Sequence, residues 1–206
     1  FPQAMFDQMC EFGLFGSTIP EEYGGLGLDI TTYARIIEEL SRGFMSLAGI
    51  LNTHKIGVTM IGRFGTDEQK QRLLPRMCDG SFRAAFSLSE PDAGSDTGAL
   101  RCKAERDGDE WVVNGHKWFI SNAHRAKFAI LVCRTEEDPD LPQAANTAFL
   151  VDIPSDGWTE VRQIETMHGS TGHSEILIED LRLHEDQMLG GRGQGHLLGQ
   201  YRLGPA

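Results

Sequence analysis

Two hydrophobic periodicities divide the chain. Up to about residue 82, apolar residues recur at helical spacing, beginning with Met5, Met9 and Phe12. From residue 83 onward, short apolar or alternating runs are separated by turn residues, a pattern typical of β-strands. The segment that starts at residue 195 (GHLLGQY) is again helical in pattern. We therefore predict helices, then a β region, then more helix.

The helical region is interrupted by a glycine-rich segment, 17–29, which predicts a loop. Asp29 or Thr31 can cap the helix that follows and continues to about residue 64. Thr66 is a suitable N-cap for a further helix, and Gly80 is suited to end it. The first of these helices is predicted to bury one apolar face, formed by Ile36, Ile37, Leu40, Phe44 and Leu47.

The β region contains an Asp-Gly and an Asn-Gly pair, both of which favour hairpin turns: Asp107-Gly108 and Asn114-Gly115. Pro139 and Pro142 predict a surface loop. Strands are predicted over 83–89, 100–107, 110–115, 116–122, 127–134, 146–153 and 174–183.

These elements predict an α+β fold, because several short strands at this spacing favour an antiparallel barrel or sandwich. We expect an N-terminal all-helical domain over 1–82, a middle β domain over 83–194, and the start of a C-terminal helical domain over 195–206. The chain has no initiator methionine and stops within an amphipathic run, so we expect it to be part of a longer protein.

The charge of the chain narrows the classes of function. The 206 residues carry a formal net charge of -11, which opposes binding to nucleic acid. We find no apolar run of the length that a membrane span needs. The cysteines are scattered, which predicts reduced and mostly buried thiols: Cys10, Cys78, Cys102 and Cys133.

Two glycine- or histidine-containing motifs do not predict a site by themselves. The segment 190–195 (GGRGQG) departs from a dinucleotide fingerprint, because Leu198 stands where the last glycine belongs, so a flexible connector is favoured. His168 and His173 do not have the spacing of a usual metal pair, and we expect loop histidines and no metal site.

Two other segments have the chemistry of a ligand site. In 87–96 (SLSEPDAGSD), a strand-like start gives way to small and hydroxylic residues. In 116–123 (HKWFISNA), two aromatic residues precede a hydroxyl and an amide. A flat heteroaromatic ring would need such an aromatic face and such polar donors, while Gly94 and Ser95 leave room for a phosphate or pantetheine arm.

The chain resembles the acyl-CoA dehydrogenases along essentially its whole length. The resemblance rests on IPEEYGGLGLD (19–29), on the junction segment 64–98 with FGTDEQK and SLSEPDAGSD, and on WVVNGHKWFISNA (111–123). These segments are similar to the family forms PEEYGG, GTEEQK, TEPxAGSD and NGxKxWITN. Their order along the chain is also that of the family.

The resemblance implies a homodimeric or homotetrameric FAD flavoprotein of fatty acid metabolism, in a bacterial cytoplasm or a mitochondrial matrix. Its reaction is α,β-dehydrogenation of an acyl-CoA to the trans-2-enoyl-CoA, by α-proton abstraction and β-hydride transfer to flavin N5. Electron-transfer flavoprotein or a similar acceptor removes the electrons. In most of the family the base is a glutamate of a C-terminal helical bundle. We therefore name no catalytic residue and expect this chain alone to bind FAD weakly without turnover.

The resemblance also implies site residues. Ser95 would touch the acyl-CoA as well as the cofactor. Thr171 and His173 stand where many members carry an arginine and a serine, so the acyl-CoA contacts of that segment are not carried over. The implied cofactor-binding residues are Phe86, Ser87, Leu88, Ser89, Gly94, Ser95, Phe119, Ile120 and Ser121, with Ser121 near N5 and Leu88 and Ser89 at the pyrimidine edge.

Two alternatives remain at this point. The same fold carries acyl-CoA oxidases and flavin monooxygenases, which differ from the dehydrogenases in oxygen access and in the base. A non-catalytic β-sandwich binding module with a helical appendage would hold no flavin at all. The sequence does not define the length or branching of the acyl chain.

Overall fold

The computed structural model describes residues 2–135, 145–167, 169–201 and 203. The predicted loop with Pro139 and Pro142 lies outside these residues. The described chain forms two compact units, one up to Arg83 and one from Ala84 to Tyr201. The helices are α1 (Gln3–Glu11), α2 (Ile30–Phe64), α3 (Asp67–Met77) and α4 (Gly195–Tyr201). The strands are β1 (Ala84–Ser87), β2 (Lys103–Asp107), β3 (Glu110–Ser121), β4 (Phe128–Arg134), β5 (Asn146–Asp152), β6 (Trp158–Thr166), β7 (Gly169–His184) and β8 (Met188–Leu189).

The helix boundaries follow from local capping. Asp29 accepts hydrogen bonds from the amides of Thr31 and Thr32, which makes it the N-cap of α2. Thr66 and Gln69 form a reciprocal capping box at the start of α3. Gly80, at φ 75°, donates its amide to Met77 as the chain leaves α3. These three local predictions are confirmed.

The apolar face of α2 is shorter than predicted. Leu47 is buried, and Ile36, Ile37 and Leu40 pack against the same cluster. Phe44 was wrongly placed on this face, because its backbone is non-helical (φ -156°, ψ 98°) and kinks the helix there, leaving the ring exposed. In α1 Phe6 and Met9 are buried and Met5 is exposed, as is Phe12, which follows the helix as its C-cap.

The second unit is built on one mixed sheet. Its strands lie in the order β6-β7-β3-β2-β4-β5-β8, and β1 pairs with β4 beside this path. Most pairs are antiparallel, but β1 and β2 both run parallel to β4. The described strands do not close into a barrel, since β6 and β8 end the sheet on opposite sides. The α+β class, with helices followed by a β domain, is confirmed.

One predicted hairpin is wrong. The Asp107-Gly108 prediction is confirmed: β2 and β3 join there, with Gly108 at φ 65°. The other pair, Asn114-Gly115, lies inside β3, which continues to Ser121. The register of β3 against β7 shifts at this point, so the glycine belongs to an irregularity in the strand. A Cβ at Gly115 would lie 2.5 Å from Cys102 Sγ, so only glycine lets the strand approach so closely.

The sheet unit has a buried apolar core of its own. Its buried cluster includes Trp111, Phe149, Ile176 and Leu181. All four cysteines are free, and Cys102 and Cys133 are buried as expected, whereas Cys10 and Cys78 are partly exposed. In the described part of the chain, no helix combines the length and hydropathy that crossing a membrane demands.

The buried histidine of the helical unit makes stability depend on pH. His54 lies in α2, edge-on against Phe15. Burial, with the nearby Arg83 charge, lowers the pKa of His54 from 6.5 to about 4. The unfolded chain therefore binds a proton that the folded chain does not between these two values. Stability from this group is present above pH 6.5 and is lost as pH falls toward 4.

We expect the free energy of unfolding to fall by about 2 kcal/mol, from this residue alone, between about pH 7.5 and about pH 5. Urea denaturation of the wild type and of His54→Leu at both pH values measures it, because the variant lacks this dependence. Leu51→Ala, which truncates a buried apolar side chain of the same helix, is the control: it should lower stability at both pH values and keep the wild-type pH dependence. Equal pH dependence in wild type and His54→Leu would contradict the assignment.

Candidate functional site

The site is built around a gap in the sheet. Strands β1 and β2 pair with the same edge of β4, one after the other: Ser87 lies opposite Leu131, and Lys103 lies opposite Arg134. Between these two pairings the chain leaves the sheet after Ser87 and returns at residues 101–102. Among the residues that the structure describes, no strand therefore lies beside β4 near Val132, and the backbone groups there need other partners.

A buried ion pair fills this gap. Lys117 of β3 is fully buried, and its ammonium donates to Glu90 Oε1 at 2.9 Å, to the Leu88 carbonyl at 2.9 Å and to the Val132 carbonyl at 2.7 Å. Glu90 in turn accepts the Arg101 amide at 2.7 Å and the Cys102 amide at 3.0 Å. The three protons of the ammonium and both carboxylate oxygens are thus satisfied by protein groups.

The ion pair joins the two segments that the sequence singles out. Lys117 contacts the carbonyl of Leu88, and the Trp118 amide donates to the Ser89 carbonyl at 2.8 Å. The ends of β1 and β3 are therefore neighbours. Because both carbonyls accept from protein donors, the polar groups that Leu88 and Ser89 can offer to a ligand are their amides and the partly exposed hydroxyl of Ser89.

The loop after Glu90 is held by hydrogen bonds at both ends, and its middle residues are exposed. Glu90 and Ala93 exchange backbone hydrogen bonds, and Asp96 accepts the Gly98 amide. Between them Gly94 and Ser95 are exposed, and a Cβ on Gly94 would meet nothing within 4 Å. An extended, phosphate-containing arm could approach this backbone.

Residues beyond the loop fix its far end. His196 Nδ1 of α4 lies 3.0 Å from the Thr97 hydroxyl. The side-chain amide of Asn146 donates to the Thr97 carbonyl at 2.8 Å. The loop is therefore anchored to β5 and α4 as well as to the ion pair.

The end of β3 exposes an aromatic ring. The register of β3 against β7 shifts between Lys117 and Ile120, and within this irregularity Phe119 has φ 56°. A positive φ is strained for an aromatic residue, and such strain is concentrated at functional sites. Phe119 is 48% exposed, and Trp118 packs edge-on against it with ring centroids 5.8 Å apart.

Ser121 and His173 form a polar pair beside this ring. The two residues lie opposite each other in the β3–β7 pairing, and Ser121 Oγ is 2.8 Å from His173 Nδ1. The imidazole also contacts Phe119 edge-on, with ring centroids 6.2 Å apart. His173 lies in β7 and not in a loop, so that expectation was wrong. His168 and the side chain of Thr171 lie outside the described residues.

The predicted cofactor-binding residues differ in what they can offer. Ser87 (0% exposed) and Ile120 (1% exposed) are fully buried, backbone and side chain alike. Ser87 Oγ has no hydrogen-bond partner within the described chain. The remaining residues are at least partly exposed: Phe86, Leu88, Ser89, Gly94, Ser95, Phe119 and Ser121.

The roles of Lys117 and His173 were not predicted from the sequence. In β3 the buried residues Trp111 and Val113 alternate with more exposed ones, and Lys117 continues the same alternation. That signal was hidden by the interpretation of Asn114-Gly115 as a turn. Among the residues that the structure describes, no three histidine, cysteine or acidic side chains form a cluster suited to a metal ion.

Removal of one partner of the Lys117–Glu90 pair should strongly lower the stability of the fold. Lys117→Met leaves Glu90 charged and buried, so we expect the free energy of unfolding to fall by about 3–5 kcal/mol. Lys103→Met, at a surface lysine paired with Glu105, should change it by less than about 1 kcal/mol. Chemical denaturation of both variants measures the two changes in the free energy of unfolding. Equal changes in the two variants would exclude the structural role of the pair.

The backbone strain at Phe119 predicts an unusual order of stability. Phe119→Gly should be more stable than Phe119→Ala by about 1 kcal/mol, because glycine adopts positive φ without strain. At Val161, an exposed strand residue, the order should reverse. Thermal or urea denaturation of the four variants measures both differences. A glycine variant at position 119 that is less stable than the alanine variant would contradict the strain.

Known proteins share this fold and these segments. The family model for the acyl-CoA dehydrogenase N-terminal domain matches residues 1–81, and that for the middle domain matches 85–181. Short-chain specific acyl-CoA dehydrogenase from Homo sapiens mitochondria is 37% identical over 206 residues, covering 98% of this chain and 49% of the relative. The chain thus spans about half the length of this relative.

Solved structures of known proteins have the same fold as this chain. Butyryl-CoA dehydrogenase from Megasphaera elsdenii superposes with a TM-score of 0.90 at 27% identity, over 98% of this chain and 54% of that one. An acyl-CoA dehydrogenase complexed with FAD from Bacillus anthracis gives 0.86 at 30% identity, over 97% of this chain and 34% of that one. With both domain models matched in order along the chain, it belongs to the acyl-CoA dehydrogenase family of oxidoreductases.

Proposed function

We propose that this chain provides the flavin- and acyl-CoA-binding part of an FAD-dependent acyl-CoA dehydrogenase. The observation that carries the proposal is the joining of two segments by one buried ion pair. The Lys117–Glu90 pair holds the end of β1, with its free amides, beside the end of β3, with an exposed ring and a hydroxyl. A flat heteroaromatic ligand with polar edges needs this combination.

The residues present fit FAD in three respects. The amides of Leu88 and Ser89 are suited to the carbonyl and nitrogen acceptors at the pyrimidine edge of the ring. Phe119, held outward by its strained backbone, can cover a ring face. The open backbone at Gly94 and Ser95 can take the phosphate-containing arm.

Each group of residues would then have a chemical task. Bound FAD would supply the acceptor of the two electrons that leave the acyl chain as hydride. The strand-end amides of Leu88 and Ser89 would stabilise negative charge on the ring, as preorganised donors do. Phe119 would exclude water from the ring face. Ser121 would direct its hydroxyl toward N5, and Ser95 would contact both the cofactor and the acyl-CoA.

We assign no catalytic base within the described residues. Glu90 is a carboxylate close to the site, but both of its oxygens are hydrogen-bonded to buried protein groups. A general base must instead reach the proton that it removes. We propose that a carboxylate from outside this chain is the base. In this proposal residues 1–82 form the helical domain and residues 83–194 form the middle domain. The segment 195–206 would begin the next helical domain.

The proposal extends to the surroundings of the enzyme. The substrate would be an acyl-CoA thioester and the product its trans-2-enoyl-CoA. Electrons would pass to electron-transfer flavoprotein or a similar acceptor. The working form would be a homodimer or homotetramer, in a bacterial cytoplasm or a mitochondrial matrix.

The proposal is tested on the protein that contains this chain, purified and kept anaerobic. We expect it to be yellow, to release FAD on denaturation, and to lose its visible flavin absorbance when the matching acyl-CoA is added from a panel of thioesters. The chain of 206 residues alone should bind FAD weakly and give no turnover with an artificial electron acceptor.

Each contrary outcome has a distinct meaning. Protein that contains no flavin and takes up none from solution would favour a binding module and end the proposal. Bleaching by acyl-CoA followed by rapid reoxidation in air with release of peroxide would favour an oxidase. Turnover by the 206-residue chain alone would show that the base lies within it.

A further inference from the structure

One contact beside the proposed ring site is not needed to satisfy buried polar groups. Ser121 and His173 are both partly exposed, so water could satisfy either side chain. Their 2.8 Å hydrogen bond is therefore not enforced by burial. Their neighbours in sequence, Ile120 and Ser174, also lie opposite each other but are buried on the other face of the sheet.

The register explains why three groups share one face. Side chains alternate along a regular strand, so Ser121 projects to the face opposite the buried Ile120. Phe119 lies in the irregularity before Ile120, and its ring contact with His173 places it on the same face as Ser121. His173 lies directly across from Ser121 in β7 and so projects to that face too. The edge of its ring reaches Phe119 as well as the hydroxyl.

This geometry limits what the Ser121 hydroxyl can do. A hydroxyl has one proton to donate and two lone pairs that accept. If Nδ1 of His173 accepts, the proton is engaged and the free lone pairs make Ser121 an acceptor toward a ligand. If Nδ1 carries the proton and donates, the Ser121 proton remains free for an acceptor on the ligand. In both cases the imidazole fixes the direction of a group that would otherwise rotate.

We propose that His173 is a positioning residue for the flavin ring: through its hydrogen bond it orients the Ser121 hydroxyl toward the ring, and through its contact with Phe119 it holds the stacking surface in place. This role rests on the proposed function. It also assigns a function to position 173, at which the chain departs from the usual residues of its family.

The test compares FAD dissociation constants in a double-mutant cycle. His173→Phe keeps an aromatic ring against Phe119 but removes the hydrogen bond, and Ser121→Ala removes its partner. Each should weaken FAD binding about fivefold to tenfold, and the double variant should be no weaker than either alone. His173→Asn, which can place a hydrogen-bonding group near the position of Nδ1, should recover most of the loss.

A spectroscopic measurement separates positioning from mere support of the fold. In the FAD-free protein, the ¹⁵N chemical shift of His173 Nδ1 should change in Ser121→Ala. On addition of FAD it should change again in the wild type but not in that variant. His184→Phe, at an exposed histidine of β7, should leave both the FAD affinity and the His173 signal unaltered.

The outcomes separate the two proposals. If the wild type binds FAD but the effects of His173→Phe and Ser121→Ala simply add, His173 has no positioning role and the proposed function stands. If His173→Asn binds no better than His173→Phe, the ring shape and not the hydrogen bond matters, and the role is also excluded. If the wild type binds no FAD, the proposed function fails, and the role of His173 fails with it.

Discussion

The buried charge pair Lys117–Glu90 is the constraint on which the rest of the sheet unit depends. A charge in a protein interior is tolerated only when it is paired and its remaining hydrogen-bonding capacity is used. Here the ammonium has three acceptors and the carboxylate has three donors, all from the protein. The pair replaces the missing strand contacts along β4. Two strands can therefore share one edge of β4, and the chain between them can leave the sheet as a loop.

That replacement explains why the candidate site lies where it does. A strand that ends early leaves backbone amides without strand partners, and a loop that is anchored only at its ends leaves backbone open to a ligand. Both features follow from one gap in the sheet, at Leu88–Ser89 and at Gly94–Ser95. A hydrophobic pair of similar volume could fill the space but could not accept the Arg101 and Cys102 amides. The chemistry of the site and the stability of the sheet thus share the same two side chains.

Local signals in the sequence predicted local structure well, and long-range pairing poorly. The caps at Asp29 and Thr66 depend on neighbouring residues and are visible in the sequence. The edge strand β6 was missed because, apart from Ile164, its residues are largely exposed and show no alternation. Asn114-Gly115 has the local chemistry of a turn, but the contact of Gly115 with Cys102 and the pairing of β3 with β7 decide its structure. The partners of Lys117 and His173 come from strands distant in sequence, which no local pattern specifies.

The two segments of the site were nevertheless predictable from their composition, whereas their geometry was not. Phe119 shows the difference. Its aromatic character is evident in the sequence, but its positive φ arises from a shift in register between β3 and β7. Such a conformation persists only if its surroundings over-determine it. Lys117, two residues earlier, is locked by three hydrogen bonds, and Ile120, one residue later, is buried in the core. The strained residue is thus held between two fixed points, and the interaction that closes the gap in the sheet also aims the ring outward.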